Sequence, residues 1–293
     1  MTDPDTLTDT AAVCTGAGAI LGLRQAVTAS GPDTVGFLQG QLSQDIEGMA
    51  PRESRWTLLL HPQGKISAWL RVTRLGDDAF FLDVDAGWAD EVVSRLERFK
   101  LRTKCDLAVS ELVSLTVVGR QAFEVPIEGA EVEVHDSWAG LPVVVAFGVD
   151  PTAEAPTIDA DVVTTLRIES GRPAMGTELD ESTIPAAAGL VERSVSFTKG
   201  CYTGQELVAR IDSRGNNVPR RLVGVVFDEA ASPQVGQDLL IGDQVVGQLT
   251  SVGVSAELGA PVAMGYATRA VEAGAAVTVG SADAVVRELP LVS

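Results

Sequence analysis

The sequence predicts an α+β protein that ends in a small β-barrel. Three observations carry this reading. Strand-like runs between residues 56 and 84 follow one another in meander order before a helix, where a doubly wound sheet would alternate strand with helix. From Arg221 onward the chain turns into short Val-rich runs broken by glycine: LVGVVF, DLLIG, DQVVGQL, PVAMGYA, AAVTVG and AVVREL. Hydrophobic residues make up 45% of the 293, enough for more than one buried core.

The elements follow in order. Residues 1–15 read as a loose acidic leader. In GPDTVGFLQGQLSQDI, the residues Val35, Phe37, Leu38, Leu42 and Ile46 share one face of a helix, with Asp33 as its N-cap. Trp56 to Leu60 is a strand, His61-Pro62-Gln63-Gly64 a turn, and Lys65 to Arg74 a second strand. Gly76-Asp77-Asp78 turns into a third, Ala79 to Val84. The helix Ala89–Phe99 directs Val92, Val93, Leu96 and Phe99 inward. Strand-like pieces recur at 112–118 and 141–147. A helix begins at Asp159 or Asp161, buries Val162, Leu166 and either Ile168 or Glu169, and ends at Gly171 and Pro173. The clearest boundary is RGNNVPR, 214–220.

The formal charge is −18, from 22 Lys+Arg and 40 Asp+Glu. Bulk attraction to DNA or to an anionic membrane is therefore disfavoured, because both carry the same sign. The 2 histidines, His61 and His135, argue against a His-rich zinc site and against a Ser-His-Asp triad. Cys14, Cys105 and Cys201 form no C-x-x-C pair, so no zinc ribbon or thioredoxin motif is present, and a sparse odd count suits a reducing compartment. The start lacks the basic residues of a signal peptide, and no stretch is long and apolar enough to span a bilayer. The expectation is a soluble, cytoplasmic monomer.

The most informative stretch is Phe197-Thr198-Lys199-Gly200-Cys201-Tyr202-Thr203-Gly204-Gln205-Glu206-Leu207-Val208-Ala209-Arg210. Thr203 and Glu206 match a capping box, which places Cys201 on the approach to a helix N-terminus. There the helix dipole and Lys199 both favour a thiolate. The alternative is a small buried loop cysteine, the common state of a free thiol, but Gly200 and Gly204 point to a backbone that bends sharply or approaches a ligand. Glu169, in Leu166-Arg167-Ile168-Glu169-Ser170-Gly171, sits in the last turn of its helix, where the dipole disfavours a carboxylate. It is either an exposed helix-end residue or a carboxylate that holds the adjacent N–H donors of a flat heterocycle. Two cationic islands, Arg95 to Lys104 and Arg193 to Arg221, are each locally about +4 and read as solvated faces or as docking points for an anion. Gly16-Ala17-Gly18 fits no phosphate-loop spacing.

Lys199-Gly200-Cys201-Tyr202-Thr203-Gly204-Gln205-Glu206 resembles the signature of the YgfZ-type folate-binding proteins, relatives of the glycine-cleavage T-protein (aminomethyltransferase). Phe37 to Asp45 (FLQGQLSQD), Gln63-Gly64-Lys65, Leu166 to Gly171 and Asp180 to Gly189 resemble the family's other segments, in its order. The resemblance implies three subdomains in a ring: an α+β, ferredoxin-like region at 16–105, a second α+β region at 106–215 carrying the signature and interleaved with the first, and the barrel at 216–293. It implies a tetrahydrofolate derivative as cofactor, no permanently bound metal, and iron–sulfur client enzymes, some of them tRNA-modifying, as partners. Glu169 would hold the pterin, Lys199 and Cys201 would be the functional pair, and Arg167, Trp69, Tyr202 and Gln205 would complete the binding residues. Trp69 stacks on a ring or belongs to the core.

One departure counts as much as the match. The T-protein carries an Asp-Asp pair after this hairpin, and here the matching stretch is Ile66-Ser67-Ala68-Trp69-Leu70, with no carboxylate between Gly64 and Gly76. Aminomethyl transfer needs that acid. The expectation is therefore an accessory protein for iron–sulfur cluster assembly or repair, with a folate-dependent one-carbon transferase and a non-catalytic binding scaffold as the alternatives.

Overall fold

A computed structural model describes residues 10–215 and 217–292; most of the acidic leader lies outside the described residues. Residues 10–15 of that leader are helical. The chain forms two compact units, one from 22–114 and 179–218, the other from 10–21, 115–178 and 219–292. Residues 106–114 and 179–215 thus fold with the first meander, and the KGCYTGQE stretch lies in that unit, whereas the division implied by the resemblance placed it with 115–178 in a region 106–215.

The unit of 22–114 and 179–218 is built on an antiparallel sheet in the order Ser54–Leu60, Ile66–Arg74, Ala79–Asp85, Arg24–Ser30, Asp106–Val109. The three meander strands stand where the hydrophobic runs put them. The strands Arg24–Ser30 and Asp106–Val109 are not evident from hydrophobic runs, because the first interleaves polar residues and the second is short and largely exposed. The helix Ala89–Glu97 packs across the sheet. It stops before Phe99, which is 40% exposed, contrary to the inward face the periodicity assigns it. Arg95 turns inward instead: its Nη2 donates to the Leu60 carbonyl at 2.6 Å and its guanidinium lies 4.0 Å from the Phe99 ring centroid. The helix Thr34–Gln41 is likewise shorter than its apolar pattern, because Leu42 is extended and bridges to Leu59. Asp33 occupies the N-cap position without capping; its Oδ2 accepts the Lys104 N–H at 2.7 Å.

Buried within the sheet, Asp83 takes Arg71 Nε at 2.9 Å and Arg24 Nε at 2.8 Å. Burial alone would raise the Asp83 carboxyl, but the two guanidinium groups outweigh it and hold it below the usual carboxylate range.

In the other unit, the strands Gly18–Leu21, Val113–Val118, Leu141–Gly148 and Val132–Trp138 form one sheet in that order. A closed six-stranded barrel follows, in the order Arg220–Phe227, Ala260–Thr268, Gln244–Ser255, Asp238–Ile241, Ala276–Val279, Ala282–Arg287. Val223, Val225, Leu239, Leu249, Ala263 and Val286 fill it. The helix Ala160–Glu169, with Asp159 at its N-cap, packs on the barrel strands Gln244–Ser255 and Ala260–Thr268. Its approach is close enough that a Cβ on Gly253 would lie 2.4 Å from Thr165 Oγ1. Ile168 is buried against Val262 and Met264. Among the described residues, no helix is long and apolar enough to cross a membrane.

Candidate functional site

Cys201 is exposed, on a loop that the rest of its unit holds from three directions. The first hold is Lys199. Its Nζ donates to the carbonyls of Gln39 at 2.6 Å, Leu42 at 2.7 Å and Gln44 at 2.9 Å. An ammonium has three N–H donors and all three are engaged, so Lys199 has none left for the Cys201 sulfur. The acceptors lie where the helix Thr34–Gln41 ends, which leaves carbonyls without intrahelical partners. Burial lowers Lys199 to about 8, against the pull of the Asp45 and Glu47 carboxylates. The sequence assigns Lys199 to thiolate activation; in the structure it is the clamp between the FLQGQLSQD and KGCYTGQE segments.

The second hold is backbone pairing between the same segments. Thr203 N–H donates to Gly40 O at 3.1 Å, Ser196 N–H to Ser43 O at 3.0 Å, and Ser43 Oγ to Ser194 O at 2.6 Å. The third is a contact between two glycines. Gly204 (φ 85°) caps the helix Gln205–Asp212 in the left-handed conformation, and a Cβ on it would lie 2.6 Å from the His61 carbonyl oxygen. Gly64 (φ 76°), in the hairpin turn, faces it, and a Cβ there would lie 2.5 Å from Leu207 Cβ. The three short motifs therefore form one packed corner.

The expected capping box is not made. The helix starts at Gln205, Gly204 is its N-cap, and no side chain caps it. Thr203 Oγ1 instead lies 3.4 Å from Gln41 Oε1. Gln205 Oε1 reaches back to the Tyr202 N–H at 3.3 Å, so Gln205 shapes the loop. Tyr202 is buried, its ring centroid 5.2 Å from Lys199 Nζ, and burial pushes its phenol up to about 12.

Trp69, expected to stack on a ring or to lie in the core, is a core residue. It is 1% exposed, its Nε1–H donates to Ser194 Oγ at 3.0 Å, and its ring packs 4.4 Å from that of Trp56. No face of it is open to a ligand, which corrects its place among the binding residues.

Glu169 belongs to the other unit. It is 5% exposed, so the solvated helix-end reading fails, and it lines a cavity of about 190 Å³ with Cys14, Arg120, Trp138, Leu166 and Glu257. Ser255 Oγ donates to Glu169 Oε1 at 2.6 Å, and the Glu169 backbone carbonyl accepts Leu291 N–H at 2.7 Å. Burial raises the Glu169 carboxyl, the Ser255 hydrogen bond opposes that, and Glu257 adds to it. Cys14 is raised by burial and by the charges of Glu169 and Glu257. Arg167, predicted beside Glu169 as a binding residue, is not part of the cavity wall: its Nη2 pairs with buried Glu178 Oε2 at 2.7 Å. Glu178 also accepts Thr250 Oγ1 at 2.9 Å and Ser251 Oγ at 2.5 Å, so this ion pair ties the helix end to the barrel. Cys14, Arg120, Trp138 and Glu257 carry no local sequence signal, since each comes from a different part of the chain.

The model of the glycine cleavage T-protein C-terminal barrel domain matches residues 220–292. Among solved structures, the glycine cleavage system aminomethyltransferase T from Bartonella henselae superposes with a TM-score of 0.81 at 22% identity, over 96% of this chain and 87% of that one, and so shares its fold. The tRNA-modifying protein YgfZ of Serratia proteamaculans is 31% identical over 243 residues, 73% of this chain and 72% of that protein. The mitochondrial iron–sulfur cluster assembly factor IBA57 homolog of Pyricularia oryzae is 29% identical over 227 residues, 72% of this chain and 58% of that protein.

Proposed function

This chain belongs to the YgfZ family, and on that premise we propose that it is a tetrahydrofolate-binding accessory protein for the assembly or repair of iron–sulfur clusters in client enzymes, tRNA-modifying ones among them. The observation that carries the reading is Glu169: a carboxylate 5% exposed, in the last turn of a helix that disfavours it, on the wall of a cavity. Among the described residues Glu169 forms no ion pair, and a buried carboxylate without one costs stability, a cost that is kept where the residue has another function. The cavity suits the group. Glu169 would accept the N–H donors of a flat ring, Trp138 supplies an apolar wall, and Arg120 adds a cation. Its 190 Å³ falls below the roughly 300–1,000 Å³ of pockets that enclose a whole drug-sized ligand, which fits a ring held with its tail outside. A reduced folate supplies one-carbon chemistry when bound.

Cys201 gives the client side of the reading its chemistry. It is exposed on a loop held by the Lys199 hydrogen bonds and the close packing of Gly204, so the thiol is presented from an anchored backbone. One thiolate does not hold a cluster, because clusters take several, so the remaining ligands come from the client. Aminomethyl transfer lacks its acid: no carboxylate lies between Gly64 and Gly76, and buried Asp83 on the neighbouring strand is held by Arg24 and Arg71.

Two measurements test the reading. Calorimetry with a reduced folate gives heat with the wild type and little with Glu169→Gln; no heat with the wild type removes the folate, and equal affinity for both removes Glu169 as the residue that holds it. Cys201→Ala loses complementation of a cluster-enzyme defect while retaining the wild-type melting curve; full complementation removes the thiol.

A further inference from the structure

We infer that Ser255 is a positioning residue for Glu169, fixing which carboxylate oxygen is left to a ligand and keeping that oxygen an acceptor of hydrogen bonds. The inference rests on the reading that the Glu169 cavity binds a folate.

Ser255 closes the barrel strand Gln244–Ser255 and is fully buried. Its Oγ accepts the Leu258 N–H at 3.0 Å and lies 2.6 Å from Glu169 Oε1. A hydroxyl has one proton, and a backbone N–H only donates. With Leu258 donating in, the Ser255 proton points to Glu169, so Oε1 must accept. A proton on Oε1 would reverse that bond and leave the buried hydroxyl proton without an acceptor, which is unfavourable. Any proton Glu169 binds is therefore directed to Oε2. No other side-chain hydrogen bond to Glu169 is found among the described residues, so Oε2 is left for a ligand. The helix end is fixed from the other side, since Leu291 and Val292 both donate to the Glu169 carbonyl, at 2.7 and 3.2 Å. Carboxylate and backbone are thus both held by the barrel and its C-terminal tail.

The charged and titratable groups sharing the cavity are Cys14 from the helix Thr10–Thr15, Arg120 from the turn after Val113–Val118, and Glu257 from the turn after Ser255. Glu257 raises Glu169 and so works against ionisation; the Ser255 hydrogen bond works for it. Removing the hydroxyl shifts the balance toward the neutral acid, whose Oε2–H would oppose an incoming N–H donor.

The test uses the whole chain and 5-formyltetrahydrofolate as probe. Its affinity is measured by calorimetry across the acid to neutral range for wild type, Glu169→Gln, Ser255→Ala, Ser255→Thr and Ser255→Cys. The ionisation of Glu169 is read separately in the ligand-free proteins by difference infrared spectroscopy, with Glu169→Gln assigning the band. Ser255→Ala is expected to bind roughly tenfold more weakly, because a Glu169 that is neutral or turned gives up one charge-assisted hydrogen bond to the ligand. Its pH midpoints, for binding and for the infrared band, move upward, and Ser255→Thr restores both. If Ser255→Ala does not fold, Ser255→Cys is read in its place, since the weak S–H donor gives the same upward movement. Unmoved midpoints with undiminished affinity in the Ser255 variants, while Glu169→Gln has lost binding, overturn the role of Ser255. Wild-type binding by Glu169→Gln overturns instead the reading that the Glu169 cavity holds the folate, and no binding by the wild type overturns the folate itself; in either case the infrared midpoint alone decides whether Ser255 sets the ionisation of Glu169.

Discussion

Gly204→Ala offers a sharp test of the corner that holds Cys201, because a second glycine, one residue before the cysteine, serves as its control within the same motif. At Gly204 the backbone has φ 85°, and an added Cβ would lie 2.6 Å from the His61 oxygen, 2.9 Å from Leu60 Cβ and 3.2 Å from Gly64 Cα. A left-handed conformation costs an alanine about 1–2 kcal/mol. Forcing a methyl into packed backbone costs about 1–3 kcal/mol more, and the smaller entropy of the unfolded alanine chain returns about 0.4–1 kcal/mol. The net is a destabilisation of about 1–5 kcal/mol, a large share of a typical 5–15 kcal/mol. Gly200 lies one residue before Cys201, has no positive φ, and an added Cβ there meets nothing within 4 Å. Gly200→Ala should therefore leave stability within about 0.5 kcal/mol of wild type. Urea denaturation followed by tryptophan fluorescence measures both, since Trp56 and Trp69 belong to the same compact unit as the two glycines. A Gly204→Ala midpoint equal to that of wild type, or a Gly200→Ala loss equal to that of Gly204→Ala, would refute the argument.

Three further outcomes follow from the same geometry. Lys199→Met should destabilise by about 1–3 kcal/mol by leaving carbonyls unpaired, and Lys199→Arg should not rescue it, because a planar fork does not meet three carbonyls converging on one point; equal melting temperatures for Arg and wild type would count against the clamp. Maleimide labelling read by mass spectrometry should modify exposed Cys201 first, Cys14 at least about tenfold more slowly, and Cys105 only on unfolding, since burial raises the last two thiols; equal labelling of Cys105 and Cys201 would contradict it. Asp83 is held below the ordinary carboxylate range, so its stabilisation is present above that range and lost as pH falls through its depressed value; Asp83→Asn should cost about 3–5 kcal/mol at neutral pH and flatten the acid limb of a stability-versus-pH curve, and an unchanged limb would rule the ion triad out as its source.

The sequence by itself determined what depends on near neighbours. The meander at 54–85, the helix at 160–169 and the barrel after residue 220 all follow from hydrophobic period and glycine spacing, which are local properties. Glu169 could be singled out because a carboxylate at a helix C-terminus is anomalous within one turn of chain. Tertiary structure decided everything that depends on which distant group arrives. Lys199 meets carbonyls some 155 to 160 residues away and becomes a clamp. Arg167 pairs with Glu178, Trp69 is enclosed by Trp56 and Ser194, and Arg95 turns inward while Phe99 turns out. Ser255 reaches Glu169 across 86 residues. The physical reason is common to all of them: a polar or aromatic side chain carries several uses of similar free energy, and only the groups that folding brings within about 3 Å select among them.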